Sequence, residues 1–119
     1  VQRICFQLQV KPSRLEDYRE RHASVWPEML REIAASGRRN YSLFLRPDGL
    51  LIGYFETDDL DASRAYLDAS PIAAAWEREM GGLFDDLGGA RADQGFDQLD
   101  EVFNLDDQLH SVNQNRNQS

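Results

Sequence analysis

The stretch Arg39-Asn40-Tyr41-Ser42-Leu43-Phe44-Leu45-Arg46, then Pro47-Asp48-Gly49, then Leu50-Leu51-Ile52-Gly53-Tyr54-Phe55-Glu56-Thr57 reads as a β-hairpin. Both flanks are rich in aromatic and branched residues, as strands are. The three residues between them form turns for separate reasons. Proline fixes φ, aspartate folds back on its own backbone, and glycine takes positive φ. Leu50, Leu51, Ile52, Tyr54 and Phe55 put apolar groups on both faces of the second flank. That pattern predicts a central strand covered on both sides.

Upstream, Ile4, Phe6, Leu8 and Val10 alternate with Arg3, Cys5, Gln7 and Gln9, which predicts a half-buried strand over 3–10. Lys11-Pro12-Ser13 opens a helix whose apolar positions run through Leu15, Tyr18, His22, Val25, Trp26, Met29, Leu30 and Ile33. Pro27 should kink this helix or split it near residues 24–26. Gly37 suits a left-handed cap at its end. Downstream, Asp58-Asp59-Leu60-Asp61 leads into a helix over about 60–69, and Ser70-Pro71 restarts it as cap plus first-turn proline. Ile72, Trp76, Met80, Leu83, Phe84 and Leu87 then form one apolar stripe, with Gly81-Gly82 a weak point. A loop over 88–95 and a last strand over 97–104 complete the order βαββαβ. The fold expected is therefore α+β on the ferredoxin-like plan, an antiparallel sheet with two helices packed on one face. The other face would show residues such as Phe44 to water, so a homodimer packed through the sheets is expected. Residues 1–105 make one domain; 106–119 are polar and read as a flexible tail.

A chain of 119 residues fits one domain with a modest core. The net charge of −8 argues against nucleic acid or an anionic membrane as partner, since both want a basic face. Cys5 is the only cysteine, which excludes an intrachain disulfide and the multi-cysteine zinc patterns. Cys5 is expected as a small buried apolar group. No stretch is long and apolar enough to span a membrane, and no leader pattern precedes the first strand, so the cytoplasm is the expected compartment. Asn40-Tyr41-Ser42, although sequon-like, then has no meaning for glycosylation.

Tyr18 and His22 are four residues apart, with Trp26 four further on. They share a helix face with Leu15 and Val25, which points at the sheet. A histidine on that face has two readings: a core group bonded to a backbone carbonyl, or an acid–base group lining a pocket. His110, in the tail, is the only other histidine and a weaker candidate. Two distant histidines without clustered carboxylates make a metal site unexpected. Tyr18, Trp26, Tyr41, Tyr54 and Trp76 could each pack a sugar's C–H face and bond its hydroxyls, or simply fill the core. Phosphate loops and nucleophile elbows are absent from the sequence.

The run Tyr18-Arg19-Glu20-Arg21-His22-Ala23-Ser24-Val25-Trp26-Pro27-Glu28, followed by Asn40-Tyr41-Ser42, Trp76 and Leu99-Asp100-Glu101-Val102-Phe103, resembles the L-rhamnose mutarotase family over about residues 3–105. The resemblance implies a cytoplasmic, cofactor-free isomerase that exchanges α and β anomers of L-rhamnose on a dimeric α+β barrel. It implies His22 as the acid–base residue and Tyr18, Tyr41 and Trp76 as sugar contacts. Some members of the family have a second tryptophan after Trp76; this chain has Glu77, a carboxylate able to accept bonds from hydroxyls. Trp26 and Tyr54 are further pocket candidates. Two other functions suit the same scaffold: a cofactor-free monooxygenase or lactone isomerase, and a dimeric sugar-binding module without catalysis.

Overall fold

The computed structural model describes residues 1–84 and 96–117, with the side chains of 115–117 left aside. Leu87 and the loop expected over 88–95 lie outside the described residues. Among those described, four strands form one antiparallel sheet: β1 (Gln2–Gln9), β2 (Arg39–Leu45), β3 (Leu50–Thr57) and β4 (Asp97–Leu99), in the order β2-β3-β1-β4. Two broken helices connect them, α1 (Leu15–Ala23) with α2 (Pro27–Ala35), and α3 (Leu60–Ala69) with α4 (Pro71–Met80). This is the α+β, ferredoxin-like arrangement.

The helix breaks fall where the prolines require. Pro27 and Pro71 each stand in the first turn of a new helix, where a missing N–H costs nothing. Ser70 accepts the Ala73 amide as N-cap and donates to Glu32, tying the start of α4 to α2. Asp59 caps α3 through the Ala62 amide. Gly37 leaves α2 at φ 92°.

The core lies between the helices and one sheet face. β1 contributes Ile4, Phe6 and Leu8, and β3 contributes Leu51 and Phe55. Tyr18, Met29, Leu67, Trp76 and Met80 descend onto them from the helices. Gly53 pairs with Phe6 across the ladder, and the Phe6 ring lies over it: a Cβ there would sit 2.1 Å from Phe6 Cζ. Glycine at this position therefore makes room for a ring that stacks on Phe96 and meets Tyr41 edge-on.

Among the described residues the other face is left largely open. Phe44 is 65% exposed, and Cys5, Ile52 and Tyr54 are only half-buried. The expectation that β3 is covered on both sides is corrected: its central place comes from pairing with β1 and β2, and only its inner face is sealed. Cys5 is likewise corrected from buried to half-buried on the outer face.

Two further corrections concern the C-terminus. The last strand ends at Leu99, because its pairing with β1 covers only Cys5, Phe6 and Gln7. Beyond that register Arg3 reaches out with its side chain, bonding Glu101 and Asp107. The tail is a helix, α5 (Leu105–Asn117), started by the Asn104 side chain accepting the Asp107 amide. Asp106 and Asp107 in its first turn complement the helix dipole. No described helix is long and apolar enough to cross a membrane.

Candidate active site

A cavity of about 520 Å³ opens between the inner sheet face and the helices α1, α2 and α4. That volume suits a small organic ligand. Tyr18, His22, Tyr41, Trp76 and Glu77 all line it. Trp26 does not line the cavity; it packs edge-on behind Trp76, with ring centroids 5.1 Å apart. Tyr54 is corrected outright. Alternation along β3 turns Leu51, Gly53 and Phe55 inward, so Tyr54 stands on the outer face, where its hydroxyl donates to Glu56 at 2.8 Å. His110 is exposed on α5, beside Gln114.

The helical spacing of α1 stacks the His22 imidazole on the Tyr18 ring, with centroids 4.0 Å apart and planes 18° from parallel. Trp76 from α4 meets the imidazole edge-on at 5.6 Å. His22 Nδ1 lies 2.9 Å from the Tyr18 carbonyl oxygen. A carbonyl only accepts, so Nδ1 carries the proton and the neutral ring keeps its lone pair on Nε2. Both readings of His22 thus hold at once: one nitrogen is satisfied by backbone, and the ring lines a cavity. Among the described residues Nε2 has no hydrogen-bond partner.

Burial lowers the His22 pKa, a change only partly offset by the bond to the Tyr18 carbonyl. The ring is therefore a neutral base at neutral pH. Tyr18 moves the opposite way. Desolvation, then the nearby Tyr41 and Glu77, push its phenol far above the ordinary value, so it stays protonated and able to donate. A base and a donor stand together in one stacked pair.

Sequence reasoning missed Arg38. It is 3% exposed, lines the cavity, donates from Nε to Ser63 Oγ at 2.7 Å, and holds its guanidinium 4.3 Å from the Phe55 ring centroid. An arginine between a helix cap and a strand looks solvated, and only the irregular register of β2 turns it inward. Phe6, Leu43 and Met80 complete an apolar wall. Among the described residues no three His, Cys, Asp or Glu side chains gather as metal ligands would.

The L-rhamnose mutarotase family model matches residues 3–105. The L-rhamnose mutarotase of Opitutus terrae is 33% identical over 108 residues, covering 87% of this chain and 98% of its own. That of Bacillus subtilis is 33% identical over 101 residues, covering 82% and 91%. The crystal structure of an L-rhamnose mutarotase from Formosa agariphila superposes with a TM-score of 0.70 at 21% identity, covering 88% of this chain and 99% of that one. At that identity the superposition speaks for the fold.

Proposed function

The chain belongs to the L-rhamnose mutarotase family, and from that premise we propose that it exchanges the α and β anomers of L-rhamnose with His22 as the acid–base group. The observation that carries the reading is the His22 ring, held in one tautomer by the Tyr18 carbonyl and lining the cavity. Nε2 takes the proton of the anomeric hydroxyl. The C1–O5 bond breaks, the ring oxygen takes that proton back from the His22 imidazolium, and the open-chain aldehyde results. Rotation about C1–C2 and closure on the other face of the carbonyl, with the protons returned, give the second anomer. Atoms balance without a redox partner, which is why the chemistry asks for no cofactor.

Tyr18, kept protonated by burial, supports the step as donor to a sugar oxygen. Trp76 and Tyr41 offer ring surface to the C–H faces of the sugar, and Glu77 accepts from its hydroxyls. A tuned acid–base group supplies roughly 10²–10⁴-fold, and holding the aldehyde in a re-closable pose adds to it. Saturation-transfer NMR on an L-rhamnose solution tests the activity. Exchange between the two anomeric proton signals is expected on adding the protein; an unchanged spectrum contradicts it.

We further infer that the protein acts as a homodimer joined through the outer sheet face. Phe44 on that face is 65% exposed, and Val102 and Phe103, just past β4 at the opposite edge of the sheet, are 91% and 61% exposed, apolar surface that a second copy would cover. Sedimentation should give twice the chain mass, and Phe44→Asp combined with Val102→Asp should halve it. A monomeric wild type at micromolar concentration refutes the dimer. A single cysteine without a disulfide partner suits a reducing compartment, and we place the protein in the cytoplasm.

A further inference from the structure

The strand that carries Tyr41 is not regular. Arg39 pairs with Glu56 and Ser42 with Tyr54, so three steps along β2 match two along β3. One extra residue is inserted, and Asn40-Tyr41 oppose Phe55 alone. Inside this bulge Asn40 has φ 50°, and it is the only non-glycine among the described residues with positive φ. Asparagine tolerates that conformation better than other side chains do, and a β-branched residue tolerates it poorly. The Asn40 amide donates to Glu56 Oε2 at 3.2 Å, the same carboxylate that receives the Tyr54 hydroxyl.

The extra residue changes the parity of the strand. Tyr41, Leu43 and Leu45 turn to the inner face, so a regular strand would turn Arg39 inward as well and Arg38 outward. The structure does the reverse. Arg39 bonds Asp58 at the surface, and Arg38 is buried. Both inward groups rest on one ring: Tyr41 stacks on Phe55 at 5.1 Å, and the Arg38 guanidinium lies 4.3 Å from its centroid. Bulges of this kind re-aim side chains beside active sites.

We propose that Asn40 is a positioning residue of this cavity, whose left-handed backbone makes the bulge that aims Arg38 and Tyr41 together at the ligand. Its role in turnover rests on the mutarotase reading above. Asn40 borders the cavity beside them, and its backbone acts through these two neighbours, so its loss should weaken sugar binding and leave His22, on a separate helix, its base.

Three variants test this, each read by melting temperature, by KM and kcat for anomer exchange, and by crystal structure. Asn40→Gly keeps the conformation and discards the amide; Arg38 and Tyr41 should stay on Phe55, and its KM should rise less than that of Asn40→Val. Asn40→Val should raise KM about tenfold, the factor expected from left-handed strain, with little change in kcat and with Arg38 or Tyr41 displaced from Phe55. If Asn40→Val does not fold, Asn40→Ala takes its place with a smaller rise in KM. A folded Val or Ala variant with wild-type KM and both groups still on Phe55 overturns the proposal. So does Asn40→Gly failing as badly as Asn40→Val. Should the wild type exchange no anomers, the proposed activity fails, and the crystal structures of the variants still decide the role of the bulge.

Discussion

Tyr54 and Phe55 are consecutive in β3 and stand in different surroundings. Phe55 is fully buried, packed by Tyr41, Phe6 and the Arg38 guanidinium. Tyr54 shares the outer face with Glu56, near the Arg3–Glu101 and Arg39–Asp58 ion pairs. On the outer face charges are screened by water, and such pairs contribute little to stability. On the inner face burial strips part of the water from these side chains, which lowers the pKa of His22 and raises that of Tyr18. Acid–base chemistry belongs to the face where protonation states are set by the protein.

The largest contrast should come from removing the inner base. His22→Ala is expected to slow anomer exchange by roughly 10²–10⁴-fold while circular dichroism shows the fold retained. Wild-type exchange in that folded variant would remove His22 from the mechanism. Next is Gly53→Ala. Its methyl must displace the Phe6 ring, which is held by Tyr41 and Phe96, and about 1–3 kcal/mol of stability should be lost in urea unfolding. An unchanged midpoint would show that the inner face yields more easily than its packing implies.

The smallest effects compare two hydroxyls. Tyr18→Phe should lower kcat/KM about five- to tenfold, the value of one hydrogen bond of about 1 kcal/mol. Tyr54→Phe should leave kcat/KM within about twofold, because its hydroxyl bonds Glu56 on the other face. Equal losses in the two variants would erase the distinction between the faces.

Much of this arrangement was legible in the residues. Strand alternation, the Pro47-Asp48-Gly49 turn and the two helix-starting prolines gave the order βαββαβ, because each acts through local geometry. Spacing put Tyr18 and His22 on one face, the family resemblance added Tyr41 and Trp76, and a departure from some of its members drew notice to Glu77; all five line the cavity. Tyr54 was misplaced because a strand apolar on both sides conceals its parity. Arg38 was missed for a related reason: a one-residue bulge reverses parity, and Asn40 announces it only weakly. Val102 and Phe103 read as strand residues, yet the pairing with β1 stops at Leu99 and they remain exposed. The tail helix did have a signal, Asn104 three residues before Asp107, within a stretch whose polarity suggested disorder.

The proposed mechanism turns on the state of the His22 ring, which ¹⁵N NMR of the imidazole across a pH titration reads directly. It predicts a neutral ring at pH 7, protonated on Nδ1, with a pKa below the ordinary value of about 6.5. A pKa lowered on folding means the unfolded chain binds the proton more readily. The stabilisation is therefore complete above the unfolded pKa and is lost as pH falls through it towards the folded one. Exchange activity should fall over the same acidic range. An imidazolium at pH 7, or a proton on Nε2, would contradict the central claim, since neither state leaves a lone pair facing the sugar.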